Sequence, residues 1–111
     1  MSGIYTKMTA KTDTSIREIG AAIRANLSCE NVGESYYCLG DVEVFILSNE
    51  KYYFRNGSYA SLTVVLTEKG PNKTADIIGS AGGNGLMNIS WGANSNISNL
   101  AIEVLRRYGF S

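Results

Sequence analysis

Histidine does not occur in the sequence, and there are only one proline, Pro71, and two cysteines, Cys29 and Cys38. Each scarcity removes a class of chemistry. Without imidazole no Ser–His or Cys–His pair can be assembled for nucleophilic catalysis. The commonest zinc ligand is missing as well, so two thiols alone do not make a metal site, and neither a metal nor a cofactor is expected. An excess of either charge is also missing: ten Lys and Arg balance ten Asp and Glu, and no run of like charges is longer than Arg106-Arg107. This counts against nucleic acid and against an anionic membrane surface as the main partner. The longest apolar run, Val44 to Leu47, is far below the ~20 residues that cross a bilayer. Met1-Ser2-Gly3-Ile4-Tyr5 lacks the basic segment and apolar stretch of a secretory leader. The expectation is a cytoplasmic protein with Cys29 and Cys38 as reduced thiols, in which the five Asn-x-Ser/Thr triplets are coincidental.

What is present suffices for one core. The 111 residues are 44% hydrophobic and 18% charged, which suits a single α+β domain spanning 1–111 and is too short for two. Ile4 to Ala10 alternates as a strand, with Ile4, Thr6 and Met8 on one face and Tyr5, Lys7 and Thr9 on the other. Ser15 and Glu18 have capping-box spacing ahead of an apolar stripe at Ile16, Ile19, Ile23 and Leu27, which predicts a helix lying on a sheet. From Glu34 the period becomes two. Tyr36 and Cys38 share one face and Tyr37 and Leu39 the other, before a tight turn at Gly40-Asp41. The return strand, Val42 to Ser48, is expected to continue past a bulge near Asn49-Glu50 through Tyr52-Tyr53-Phe54. A turn at Asn56-Gly57-Ser58 leads to a strand from Tyr59 to Glu68, then the turn Lys69-Gly70-Pro71-Asn72 leads to a last strand from Lys73 to Ala81.

The segment Gly79-Ser80-Ala81-Gly82-Gly83-Asn84-Gly85 reads as a strand end dissolving into a loop. Leu86 to Asn94 then crosses over carrying Trp91. The final helix has Ile97, Leu100, Ala101, Val104, Leu105 and Tyr108 at helical spacing, a cap at Ser95 or Asn96, and Gly109 as its stop. The resulting order, β-α-β-β-β-β-α, can bury both apolar stripes if the two helices share one face of an antiparallel sheet. It is the order of the TATA-box-binding-protein-like fold, a likeness of architecture that confers no function.

Functional signals are few. The glycine loop could cradle an anion, but no Lys-Ser/Thr follows Gly85 and no third glycine completes a dinucleotide fingerprint. Glu34, Asp41, Glu43 and Asp76 have no spacing that selects an acid–base pair. No catalytic residue is therefore assigned. The one surplus is aromatic: seven tyrosines, including Tyr36-Tyr37 and Tyr52-Tyr53, put rings on both sheet faces, and those not under helices must meet solvent, a ligand or another subunit. Lys51 and Arg55 flank Tyr52-Tyr53-Phe54, as ordinary strand packing or an anion-binding edge would both allow.

The stretches Lys51-Tyr52-Tyr53-Phe54-Arg55, Tyr59-Ala60-Ser61-Leu62-Thr63-Val64, Gly79 to Gly85 and Trp91-Gly92-Ala93 together resemble a family of short uncharacterised proteins from Gram-positive bacteria. The likeness runs over the C-terminal two thirds of the chain. It implies bacterial cytoplasmic origin and brings no activity, ligand or site residue with it. The residues themselves favour a non-enzymatic binding or assembly domain that forms a homodimer through Tyr36, Tyr37, Tyr52, Tyr53 and Arg55. The alternative is a small-ligand-binding or enzymatic protein with its pocket at Gly82, Gly83, Asn84, Gly85 and Trp91.

Overall fold

The computed structural model describes residues 2–27, 30–53, 58–83 and 91–111; side chains at 2–4, 53, 58, 81–83 and 91–96 fall outside that description. In chain order the elements are β1 (Ser2–Lys11), α1 (Ile16–Asn26), β2 (Glu30–Leu39), β3 (Val42–Tyr53), β4 (Ser58–Lys69), β5 (Asn72–Gly83) and α2 (Trp91–Arg107). The strands form one antiparallel sheet in the order β1-β5-β4-β3-β2. The α+β class and the element order expected from the sequence are both present.

Local chemistry sets the boundaries. Ser15 caps α1, its Oγ accepting the Glu18 N–H at 3.2 Å. Two hairpins turn on a Gly-X pair, Gly40-Asp41 and Gly70-Pro71, in which only the glycine has positive φ, +64° and +60°. That is the pattern of the II′ turn, whose twist matches the strands it joins. At the end of α2 the Phe110 N–H bonds to the Leu105 carbonyl and the Gly109 N–H to that of Arg106, with Gly109 at φ +92°. This Schellman turn sends Phe110 into the core and delivers Ser111 to β1, where Ser111 and Thr9 exchange two backbone hydrogen bonds of 3.0 and 3.1 Å.

Alternate strand positions build the core: Met8, Phe45, Leu47, Ala60, Leu62, Val64, Leu66, Ala75 and Ile77 join Ile16, Ile19 and Ile23 of α1 and Ile97, Ala101, Val104 and Leu105 of α2 in one buried cluster. α1 packs on β3 and β4, α2 on β5, β4 and β1, and the two helices touch each other. A buried cation ties the pieces together. Lys73 Nζ donates to the Thr12 and Gly70 carbonyls at 2.7 and 2.8 Å and lies 3.7 Å from Glu68, whose carboxylate accepts the Ile16 N–H at the start of α1.

Several expectations are corrected. Gly79 to Gly83 does not dissolve into a loop. It pairs with Leu62 to Ser58 on β4, and Gly79 to Ala81 also pair with β1. β5 is a central strand whose backbone finds partners on both sides, and this outweighs the ~0.5–1 kcal/mol that each interior glycine costs. No bulge occurs at Asn49-Glu50, where the β3–β4 ladder runs unbroken; the irregularity is on β2, between Asn31 and Gly33. The polar Asn49 at a buried position had disguised a continuous alternation. β1 and β2 start earlier than expected, at Ser2 and Glu30, and α2 starts at Trp91, so that Ser95 and Asn96 lie inside the helix rather than capping it. Cys29, Phe54, Arg55, the Asn56-Gly57 turn residues, Asn84, Gly85 and the stretch from Leu86 to Ser90 lie outside the described residues.

Gly20 of α1 is there for space: a Cβ built on it falls 2.6 Å from Phe45 Cε1. On an exposed helix face Gly→Ala would gain up to about 1 kcal/mol. Here Gly20→Ala should instead lower stability by roughly 1–3 kcal/mol, and Phe45→Leu should relieve part of the loss, as urea unfolding of the single and double variants would measure.

Candidate interaction surface

Because strand side chains alternate, the face opposite the core is fixed by the same register. On it stand Tyr5 of β1, Ile78 of β5, Tyr59 of β4, Tyr52 of β3, and Tyr37 and Leu39 of β2, each between 41% and 63% exposed. Tyr52 and Tyr59 sit opposite each other with ring centroids 4.7 Å apart and planes tilted by 50°, a favourable aromatic geometry. Hydroxyl pairs fill the spaces between rings: Ser61 with Ser80 at 2.6 Å and Ser48 with Thr63 at 3.4 Å. The face is thus amphipathic, apolar in its rings and hydrogen-bonding in its small side chains.

Two tyrosines hold their protons strongly. Tyr5 Oη donates to Asp76 at 2.6 Å, and this bond to a carboxylate raises its pKa above the ordinary 10.0. Tyr36 Oη donates to Glu43 and accepts from the Cys38 thiol, and its pKa is raised further, chiefly by the Glu43 bond. Ionising either phenol would set an oxyanion against a carboxylate. A folded-state pKa above the unfolded one means that this contribution is fully present below pH ~10 and is lost as pH rises through the folded value. Ultraviolet titration should show these two tyrosines ionising late, and Tyr5→Phe and Tyr36→Phe should each remove one late step.

The expected site residues separate. Tyr36 and Tyr37 lie on opposite faces: Tyr37 is with the outer tyrosines, whereas Tyr36 pairs with Phe45 and lies under Arg17 of α1, whose guanidinium carbon is 4.8 Å from the ring centroid. Tyr52 is on the outer face, and Tyr53 pairs in the backbone with Ser58, its side chain beyond description. Gly82 and Gly83 are strand residues opposite Tyr59 and Ser58, and Trp91 is the first residue of α2. Tyr5, Tyr59 and Ile78 were missed. Their alternation was legible, but it did not show which strands would be neighbours.

On the helix side a groove of about 510 Å³ runs between α1 and β2, lined by Arg17, Arg24, Glu34 and Phe45 among others, with Arg24 bonded to Glu34. On the core face of β3 Asn49 is 1% exposed, and neither its Oδ1 nor its Nδ2 has a partner among the described residues; the Ser98 hydroxyl is likewise buried and unbonded among them. A buried amide left unpaired costs about 1–3 kcal/mol. Asn49→Leu should therefore raise thermal stability by an amount of that order. A loss instead would mean that the amide is bonded in solution.

Cys38 is a free, exposed thiol. Among the described residues no helix is long and apolar enough to cross a membrane. The model of a family of unknown function (DUF6054) matches residues 1–109, whereas comparison with curated proteins and with solved structures found no match.

Proposed function

Because the chain belongs to this family of unknown function and takes no assigned activity from it, we propose from its surface that it is a non-enzymatic assembly domain, a homodimer joined through the outer sheet face. The observation that carries this reading is the set of exposed rings Tyr5, Tyr37, Tyr52 and Tyr59 with Ile78 on one side of the sheet. The contacts of α1 and α2 with each other and with four strands support both helices sharing the opposite face, the arrangement of the TATA-box-binding-protein-like architecture. Five strands of ten or so residues present roughly 800 Å² on that outer side. About 800 Å² per partner is what a standard-sized stable interface buries. The resemblance to proteins of Gram-positive bacteria and the low thiol count favour a bacterial cytoplasmic setting.

Sedimentation equilibrium at micromolar concentration should give a dimer. Tyr59→Lys and Tyr52→Lys should each weaken it at least tenfold while leaving the monomer's far-ultraviolet circular dichroism intact. A wild-type protein that stays monomeric at hundreds of micromolar would overturn the reading. A second reading, a small-ligand pocket near Gly82, Gly83 and Trp91, is favoured by the unpaired Asn49 amide, which stands in register with Leu62 and Gly79. A ligand there would raise the melting temperature with its concentration.

A further inference from the structure

The two edges of the sheet are not alike. β1 has part of its outer edge closed by the exchange of hydrogen bonds between Thr9 and Ser111. β2 ends the sheet on the other side, and all ten of its residues are exposed. An edge strand presents a row of N–H and C=O groups that only another extended chain can pair, and proteins usually guard it with lysine, proline or a bulge. From Glu30 to Leu39 there is no lysine and no proline. Its guards are the irregularity between Asn31 and Gly33 and the charges of Glu30 and Glu34, the second already bonded to Arg24, which leaves Glu34 to Leu39 regular, with Tyr36, Tyr37 and Leu39 exposed on it.

We propose that Glu34–Leu39 of β2 pairs antiparallel with the same segment of a second copy, joining two sheets into one of ten strands. Charge selects the occupant. β2 carries Glu30 and Glu34 and no cation, while α1 holds Arg17 and Arg24, with the single carboxylate of Glu18 among them, over the groove beside it. Arg24 is bonded to Glu34 of its own chain; Arg17 lies over the Tyr36 ring and has no carboxylate partner among the described residues. An incoming β2 brings its own Glu34 toward that arginine, and a two-fold axis repeats the pairing. With the axis perpendicular to the sheet, like faces stay together, so that Tyr36 meets the helix-side residues of the partner strand and the outer tyrosine faces merge. This contact is made by backbone at the edge and is separate from packing of the outer faces; a protein that makes both contacts assembles beyond the dimer.

Disulfide trapping tests it. In a Cys29→Ser, Cys38→Ser background, single cysteines are placed at Ser35, Tyr36 and Tyr37 on β2, at Lys7 on β1 and at Tyr59 on the outer face, then oxidised with glutathione disulfide at micromolar protein. Residues beside the two-fold axis should cross-link at least ten times faster than Lys7→Cys, at one or two of the three β2 positions. Three neighbouring positions are used so that one variant that fails to fold leaves two to read. Arg17→Glu should weaken this self-association several-fold in sedimentation while leaving the far-ultraviolet circular dichroism unchanged. Rapid cross-linking at Tyr59→Cys with none on β2 would support face packing and overturn the edge contact. Cross-linking no faster on β2 than at Lys7, or a monomer that binds extended peptides instead, would overturn it too.

Discussion

Two helices do not reach all five strands, and much of this protein follows from that geometry. A helix is about 10 Å across and strands are spaced at about 4.8 Å, so each helix covers two or three of them. Here α2 takes β1, β5 and β4, and α1 takes β4 and β3. The fifth strand is left bare, and its composition fits that position: β2 carries tyrosines, glutamates and small residues and contributes nothing to the buried cluster. The contacts it makes with α1 are made by long side chains, Arg17 over Tyr36 and Arg24 to Glu34, which stay wet at their tips.

The same arrangement explains where the polar groups sit. Lys73 is among the most buried charges, yet it is tolerated because two carbonyls and Glu68 surround it, and because Glu68 also meets the first turn of α1. The pairing fixes the β4–β5 turn to the loop that precedes α1. Asn49 is its opposite, an amide at a core-facing strand position with no partner among the described residues. The start of α1 is thus locked by a satisfied network, while the core face of β3 holds an unsatisfied group.

Much of the fold was legible in the sequence. Ser15 with Glu18, the Gly-X turns, Gly109 and the stripes of both helices are local signals, and each does in the structure what its chemistry implies. Failures came where a tertiary partner outweighed a local preference. Glycine depresses strand propensity, but Gly79 to Gly83 pairs because β4 and β1 flank it. A polar residue breaks an apolar alternation on paper, but Asn49 stays in step. The outer surface was half legible: that tyrosines would be exposed followed from their number, whereas the company of Tyr5 and Ile78 depends on β1 lying beside β5, which no local spacing encodes.

That neighbour relation also orders the assembly of the chain. Between β2 and β3 and between β4 and β5 the connection is a two-residue turn, so these hairpins close little loop and need little search. β1 is different. It must match Ser2 to Ala81 and Lys11 to Asn72, with nearly the whole meander in between. Non-local pairings of this kind slow folding because loop-closure entropy is spent before any contact rewards it. The first strand to be synthesised is therefore the one whose place in the sheet is completed only after the last strand exists.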